Sequence, residues 1–220
     1  LIGIGTLLIK LPVAIPPGQE LGWLDALFTM TSAVCVTGLI VRDTATDFTA
    51  FGQAVIGLFI QLGGLGIIIF GTTLALLVGR RLSLREGMHL RKALSDQPLR
   101  HVGSLVGFIV GTTLAIELLG SLGASLFHSV SAFCNAGFAL RSDSLIGHRY
   151  GWLAHGVHLP LIGLGGLGFP VLLNLGYITR YRFRRWRNGR AADATPLPER
   201  RLSLHSKVVL AMTGGLYLLG

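Results

Sequence analysis

Along the chain, long apolar runs alternate with short, arginine-rich polar connections. Residues 48–79 hold no charged side chain for 32 positions, residues 150–179 hold none for 30, and residues 102–122 hold one, Glu117. A run of about 20 apolar residues suffices to cross a bilayer, so each of the three reads as a spanning helix. At 1.5 Å per residue the first would be about 48 Å long, against a hydrocarbon core of about 30 Å, so it must tilt, bend at its glycines or extend beyond the membrane. Residues 1–15 read as the outer part of another helix, stopped by Pro16-Pro17-Gly18, and residues 208–220 as the start of a further one. Two apolar runs of about 14 residues, 21–34 and 119–133, are too short to span and read as re-entrant or interfacial helices. The order of helix, short helix, long helix and basic connection is met twice.

The repetition extends to the letters. Residues 28–43 read FTMTSAVCVTGLIVRD and residues 127–143 read FHSVSAFCNAGFALRSD, sharing S-A-x-C-x-x-G-(L/F)-x-x-R at an offset of 99 positions. Gly63-Gly64-Leu65-Gly66 recurs as Gly165-Gly166-Leu167-Gly168, and Arg81-Leu82-Ser83-Leu84 as Arg201-Leu202-Ser203-Leu204. Three matched blocks in one order indicate an internal duplication. Each unit crosses the membrane twice, so the two share one orientation, unlike inverted repeats. The predicted division is 1–100, 101–207, and 208–220 opening a third unit.

Composition agrees with this picture. The 220 residues are 51% hydrophobic and 13% charged, with a mean hydropathy of +0.64, whereas a soluble domain carries about 25% charged residues. An all-α polytopic membrane protein is expected. The chain lacks an initiator methionine and both its ends fall inside apolar runs, so a piece of a longer polypeptide is expected. The net charge of +9 comes largely from residues 80–100 and 180–207, which together hold 15 of the 19 lysines and arginines. Basic clusters flanking apolar runs place these connections in the cytoplasm. Residues 182–187 resemble an RNA-binding or lipid-binding patch, but a juxtamembrane basic linker accounts for them, and no nucleic-acid partner is expected.

Several residues need weighing. Gly163-Leu164-Gly165-Gly166-Leu167-Gly168 matches G-x-G-x-x-G, yet arginines follow it in place of a strand–helix context and a distant acid. Close packing between membrane helices is the better account, with Pro160 and Pro170 bending the helix. Cys35 and Cys134 form no disulfide framework or zinc spacing and read as small buried residues. Lys10 and Glu117 read as snorkelling to the interface. Glu20, Asp25, Asp43, Asp47 and Asp143 either enrich cations near the repeated motif or belong to solvated loops. His128 is either a pH sensor or a packing residue. No nucleophile–base pair and no metal-spaced cluster is present, so neither an enzyme nor a cofactor is expected.

In the motif itself, Val34-Cys35-Val36-Thr37-Gly38 follows a short helix and precedes exposed Arg42-Asp43. Non-helical backbone at membrane depth is tolerated only where it lines water or meets an ion, as carbonyl rings do in potassium channels. The competing account is an ordinary turn with a helix-terminating glycine. Two copies in matching positions favour the ion.

Residues 27–42, 61–71, 127–141 and 163–170 resemble the Trk/Ktr/HKT superfamily of cation transporters, nearest its TrkH/KtrB members. The resemblance implies tandem M1–P–M2 repeats with re-entrant pore loops, two of an expected four being present, with the first M1 truncated. Val36, Thr37 and Gly38 would form one strand of a K⁺ selectivity filter, and Asn135, Ala136 and Gly137 a second. Gly38 implies K⁺, because serine replaces that glycine in Na⁺-selective members. Also implied are a potassium uptake pore in the bacterial inner membrane, possible symport with H⁺ or Na⁺, a homodimer, and a cytosolic RCK-type nucleotide-binding regulator docking on residues 80–100 and 180–201. The alternatives are a secondary carrier for another small solute or Na⁺, and a non-transporting scaffold.

Overall fold

The computed structural model describes residues 1–66, 102–122, 125–144, 146–148, 150–152, 154–188 and 202–219. Among these there is helix and loop but no strand. The α-helices are α1 (Ile2–Ile9), α2 (Trp23–Val34), α3 (Ala50–Gly64), α4 (Val102–Ser121), α5 (Leu126–Phe133), α6 (Leu159–Gly166), α7 (Phe169–Asn188) and α8 (Leu204–Leu219), with a π-helical turn, Ala154–His158, leading into α6.

Local chemistry sets the helix starts. Thr49 caps α3 by accepting from Gly52 N at 3.3 Å, and its hydroxyl also donates to Val13 O at 2.6 Å, tying the short 3-10 turn Pro12–Ala14 to the head of α3. Ser125 caps α5 by accepting from His128 N at 3.4 Å. Asp25 lies in the first turn of α2, where the helix dipole favours a negative charge.

The helix ends depart from the sequence pattern. The first apolar run is helical only to Ile9 and then turns through Pro12–Ala14. The expected short helix at 119–133 is divided: residues 119–121 complete α4, and α5 begins at Leu126. The run at 48–79 becomes helical at Ala50 and stops at Gly64, where Gly66 turns with φ +81°; residues 67–79 lie outside the described residues. The run at 150–179 breaks at the matching place, where Gly168 has φ +77° and the two arms stand at 99°. The backbone of this second Gly-Gly-Leu-Gly block thus makes the bend, beyond any contribution of Pro160 and Pro170. The second basic connection begins as helix, since α7 continues to Asn188. Residues 80–100 and 190–201, including the Arg81 and Arg201 ends of the third repeated block, are outside the described residues. Among the described residues no single helix is long and apolar enough to cross a membrane; Ala154–Gly166 with Phe169–Gly176, bent at 99°, together have the length and composition of a broken span or a re-entrant loop.

α1, α2 and α3 pack into a core of Ile9, Ala26, Met30, Ala33, Ile56 and Ile60. α5 packs on α3, α4 and α6, joining the second helix set to the first. Helix α4 is inverted relative to a helix of a soluble protein. Ile109, Thr113 and Glu117, spaced at one helical face, are buried, whereas Leu114, Leu118 and Leu119 are exposed, Leu118 by 58%. An apolar surface outside a partly polar interior suits lipid rather than water as solvent.

Candidate functional site

The site is built at the C-terminal ends of α2 and α5, where one hydrogen-bond pattern occurs twice. Cys35 N donates to Thr31 O at 2.8 Å, Val36 N to Ala33 O at 3.2 Å and Thr37 N to Ser32 O at 2.9 Å. Cys134 N donates to Val130 O at 2.9 Å, Asn135 N to Ala132 O at 3.1 Å and Ala136 N to Ser131 O at 2.8 Å. These are the paired bonds of a Schellman ending, which needs its first residue beyond the helix in the left-handed region. Val36 (φ 55°) and Asn135 (φ 57°) occupy it. The helices are therefore closed by Val36 and Asn135, and the motif glycines are not the terminators. For β-branched Val36 this conformation costs about 1–2 kcal/mol.

Gly38 (φ +76°) and Gly137 (φ +74°) lie two residues further on, and there the two loops meet. A methyl group placed on Gly38 would stand 2.6 Å from Ala136 O and 3.2 Å from Gly137 Cα, and one on Gly137 would stand 3.3 Å from Gly38 Cα. Ala136 is 0% exposed and, with Phe138, belongs to the core formed by the first three helices. Thr37, Asn135 and Gly137 are exposed, and Val36 and Gly38 are half-buried. All six predicted residues thus converge on one place. Among the described residues, no hydrogen bond ends on the carbonyl oxygen of any of the six. None of them carries a charge, so whatever polar chemistry the place offers comes from main-chain oxygens, with the C-terminal, negative ends of α2 and α5 behind them.

Supporting contacts hold each loop. The Thr37 hydroxyl reaches Ser32 O at 3.2 Å and Ser32 Oγ at 3.1 Å, and Ser131 Oγ donates to Phe138 O at 2.7 Å. Gly63 lies against the carbonyl of Val34, and Gly165 against the carbonyl of Phe133, so closely that a Cβ at either would overlap the oxygen. Each Gly-Gly-Leu-Gly block therefore seats the helix end that carries a loop, and the second also makes the bend between α6 and α7. The expectation of close packing for residues 163–168 holds at Gly165, and Gly63 shows the same contact in the first copy.

Other sequence-selected residues find specific places. His128 Nε2 accepts from Leu140 N at 3.2 Å and Nδ1 lies 2.7 Å from Ser125 Oγ, so the ring stitches the start of α5 to the segment beyond the loop. A cavity of about 220 Å³ beside the second loop is lined by His128, Ser131, Asn135, Gly137 and His158 among others. The repeated arginines pair differently: Arg42 with Asp25 at 2.9 Å, and Arg141 with Asp143 at 3.2 Å. The Arg141 hydrogen bond holds the exposed Asp143 carboxyl below its ordinary value. Asp43 and Asp47 accept loop N–H groups from Ala45 and Asp43 at 2.8 and 3.1 Å. Lys10 donates to Leu21 O and lies over the Trp23 ring, 4.9 Å from its centre.

Two expectations are corrected. Glu117 does not snorkel: it is 1% exposed, because α4 turns that face inward against α5, where it shares a cavity with Gln61 of α3. The cysteines are not equivalent small buried residues: Cys35 is exposed, and Cys134 is partly buried with its thiol 3.8 Å from Gln61 Oε1. Sequence reasoning also passed over Gln61 and the motif serines Ser32 and Ser131. The serines were legible as invariant letters of the repeat; Gln61 carried no signal beyond being polar in an apolar run.

The comparisons give this geometry a context. The family model described as TrkH, cation transport protein, matches residues 105–192. The Ktr system potassium uptake protein B of Bacillus subtilis is 37% identical over 195 residues, covering 81% of this chain and 43% of that protein. The protein of the same name from Vibrio alginolyticus is 36% identical over 229 residues, covering 97% of this chain and 46% of its own. The potassium/sodium uptake protein NtpJ of Enterococcus hirae is 32% identical, with coverage of 97% and 47%. The class defined is that of helical membrane transport proteins. The chain belongs to the TrkH/KtrB-type family of cation transporters. It spans less than half the length of these relatives.

Proposed function

We propose that the chain is the first half of the pore-forming subunit of a potassium uptake system, and that Val36, Thr37, Gly38, Asn135, Ala136 and Gly137 form two strands of its ion filter. The observation that carries this is the convergence of two non-helical loops whose six carbonyl oxygens have no hydrogen-bond partner among the described residues. A buried or membrane-embedded carbonyl without a donor is costly, and a dehydrating cation is a partner that removes the cost. The exposed sides of Thr37, Asn135 and Gly137 leave room for further strands. On this reading each loop belongs to an M1–P–M2 unit, α2 and α5 are pore helices, and two more units complete the ring in the bacterial inner membrane.

Gly38 favours potassium over sodium, and the two Ktr relatives are potassium uptake proteins, while NtpJ is named for both ions. The same reading extends to a homodimer, to an RCK-type nucleotide-binding regulator on the basic connections, and to possible symport of H⁺ or Na⁺. The deciding experiment uses the full-length parent chain in a K⁺-uptake-deficient bacterium. Wild type should restore growth at low K⁺, and Gly38→Ser should lose discrimination against Na⁺. If Gly38→Ser instead lowers affinity for an uncharged solute and leaves ion flux untouched, a carrier replaces the pore.

A further inference from the structure

Behind the second loop lies a polar cluster that the filter does not use. Glu117 on α4 and Gln61 on α3 line one cavity of about 420 Å³, whose other walls include Gly57, Leu114, Phe127 and Val130. Both polar ends are sealed from solvent: Glu117 Oε1 and Gln61 Nε2 are buried and have no partner within hydrogen-bond length. The other end of the same amide, Oε1, lies 3.8 Å from the Cys134 thiol, which can donate to it. Cys134 is also seated directly against Gly64, one turn along α3 from Gln61. The next residue, Asn135, is the left-handed cap of α5, and Ala136 and Gly137 follow.

We propose that Glu117 and Gln61 are positioning residues for the second filter strand, an inference that rests on the filter reading above. The chemistry is complementary in sequence. The Gln61 oxygen accepts from Cys134 S–H, and its unpaired NH2 group lines the same cavity as the unpaired Glu117 oxygen, an acceptor for that donor. An amide can serve a donor on one side and an acceptor on the other. The link joins helices from both halves of the chain to the residue at which the second loop leaves its helix. The first loop has no such tether, because Cys35 is exposed.

The test follows Cys134 directly. In the full-length protein carrying Cys35→Ser and no other accessible thiol, maleimide labelling of Cys134 is timed in membranes. Glu117→Leu and Gln61→Leu should each speed labelling about fivefold, the population change expected when the Gln61 amide no longer holds the Cys134 thiol. Glu117→Gln keeps an acceptor oxygen and should label at the parental rate. The same variants should raise the KM for K⁺ and lower K⁺/Na⁺ discrimination at equal protein level, with Glu117→Gln again near the parent. Parental labelling rates in both leucine variants overturn the proposal even if either fails to transport. If Gly38→Ser shifts discrimination while the leucine variants do not, the tether fails and the filter stands; if Gly38→Ser shifts nothing, the filter reading fails first.

Discussion

Replacing Gly38 with alanine should damage ion discrimination more than replacing Gly137, although the two glycines hold the same place in the repeat. Both have positive φ, +76° and +74°, so either alanine incurs about 1–2 kcal/mol for the left-handed conformation. That alone is about a 5- to 30-fold change in the population of the native loop. The surroundings then separate the two. The Gly38 methyl would press on Ala136 O at 2.6 Å, whereas the Gly137 methyl meets nothing nearer than Gly38 Cα at 3.3 Å. The first contact is with backbone that is itself buried and cannot swing away; the second can be met by a shift of a few tenths of an ångström. Overpacking of the first kind adds about 1–3 kcal/mol. The assay is uptake of K⁺ and Rb⁺ with Na⁺ as competitor, by the full-length protein at matched membrane levels. Parental discrimination in Gly38→Ala, or a larger defect in Gly137→Ala, would refute the argument, because the two differ only in what the added methyl touches.

Further outcomes follow from the supporting contacts. Val36→Asn should raise the thermal midpoint in detergent, since asparagine tolerates the left-handed cap that valine occupies at a cost of about 1–2 kcal/mol; a lower midpoint would mean that Val36 packing outweighs the strain. Gly63→Ala and Gly165→Ala would each drive a methyl into a helix-end carbonyl and should lower stability by at least about 1–3 kcal/mol, checked by thermal unfolding of the purified protein. His128→Phe leaves Leu140 N–H without its acceptor, and should cost about 1–3 kcal/mol of stability by the same measurement. Of the two thiols, the exposed Cys35 should react with maleimide well before Cys134.

Much of the candidate site was legible because its structure is local. Every bond of the loop pattern joins residues no more than five apart, so a repeated S-A-x-C string imposes a repeated helix ending wherever it occurs. The Gly-Gly-Leu-Gly blocks were legible as packing elements for the same reason of small size. Helix ends were less so. An apolar run marks what avoids water, not where the hydrogen-bond ladder stops, so a bend was expected in 48–79 and 150–179 but its place at Gly66 and Gly168 was not. The competing account, a turn with a helix-terminating glycine, fails on its cap, since valine and asparagine close the helices; nothing in valine's propensity announces a left-handed cap.

What a duplicated sequence could not disclose is that the duplicates have different neighbours. Cys35 and Cys134 share a motif position and the same backbone bond, yet one is exposed and the other rests on Gly64 and Gln61. A tandem arrangement makes this unavoidable. The second copy packs on α3, which belongs to the first, and on α4, which precedes it; the described part of the first copy has only α1 and α3. Sequence repetition therefore fixes the conformation of each strand but not its restraint. Glu117 could be placed on a snorkelling face only while the partner of that face was unknown. Once α3 supplies an amide opposite it, the same residue becomes interior, and the second loop acquires a tether that the first lacks.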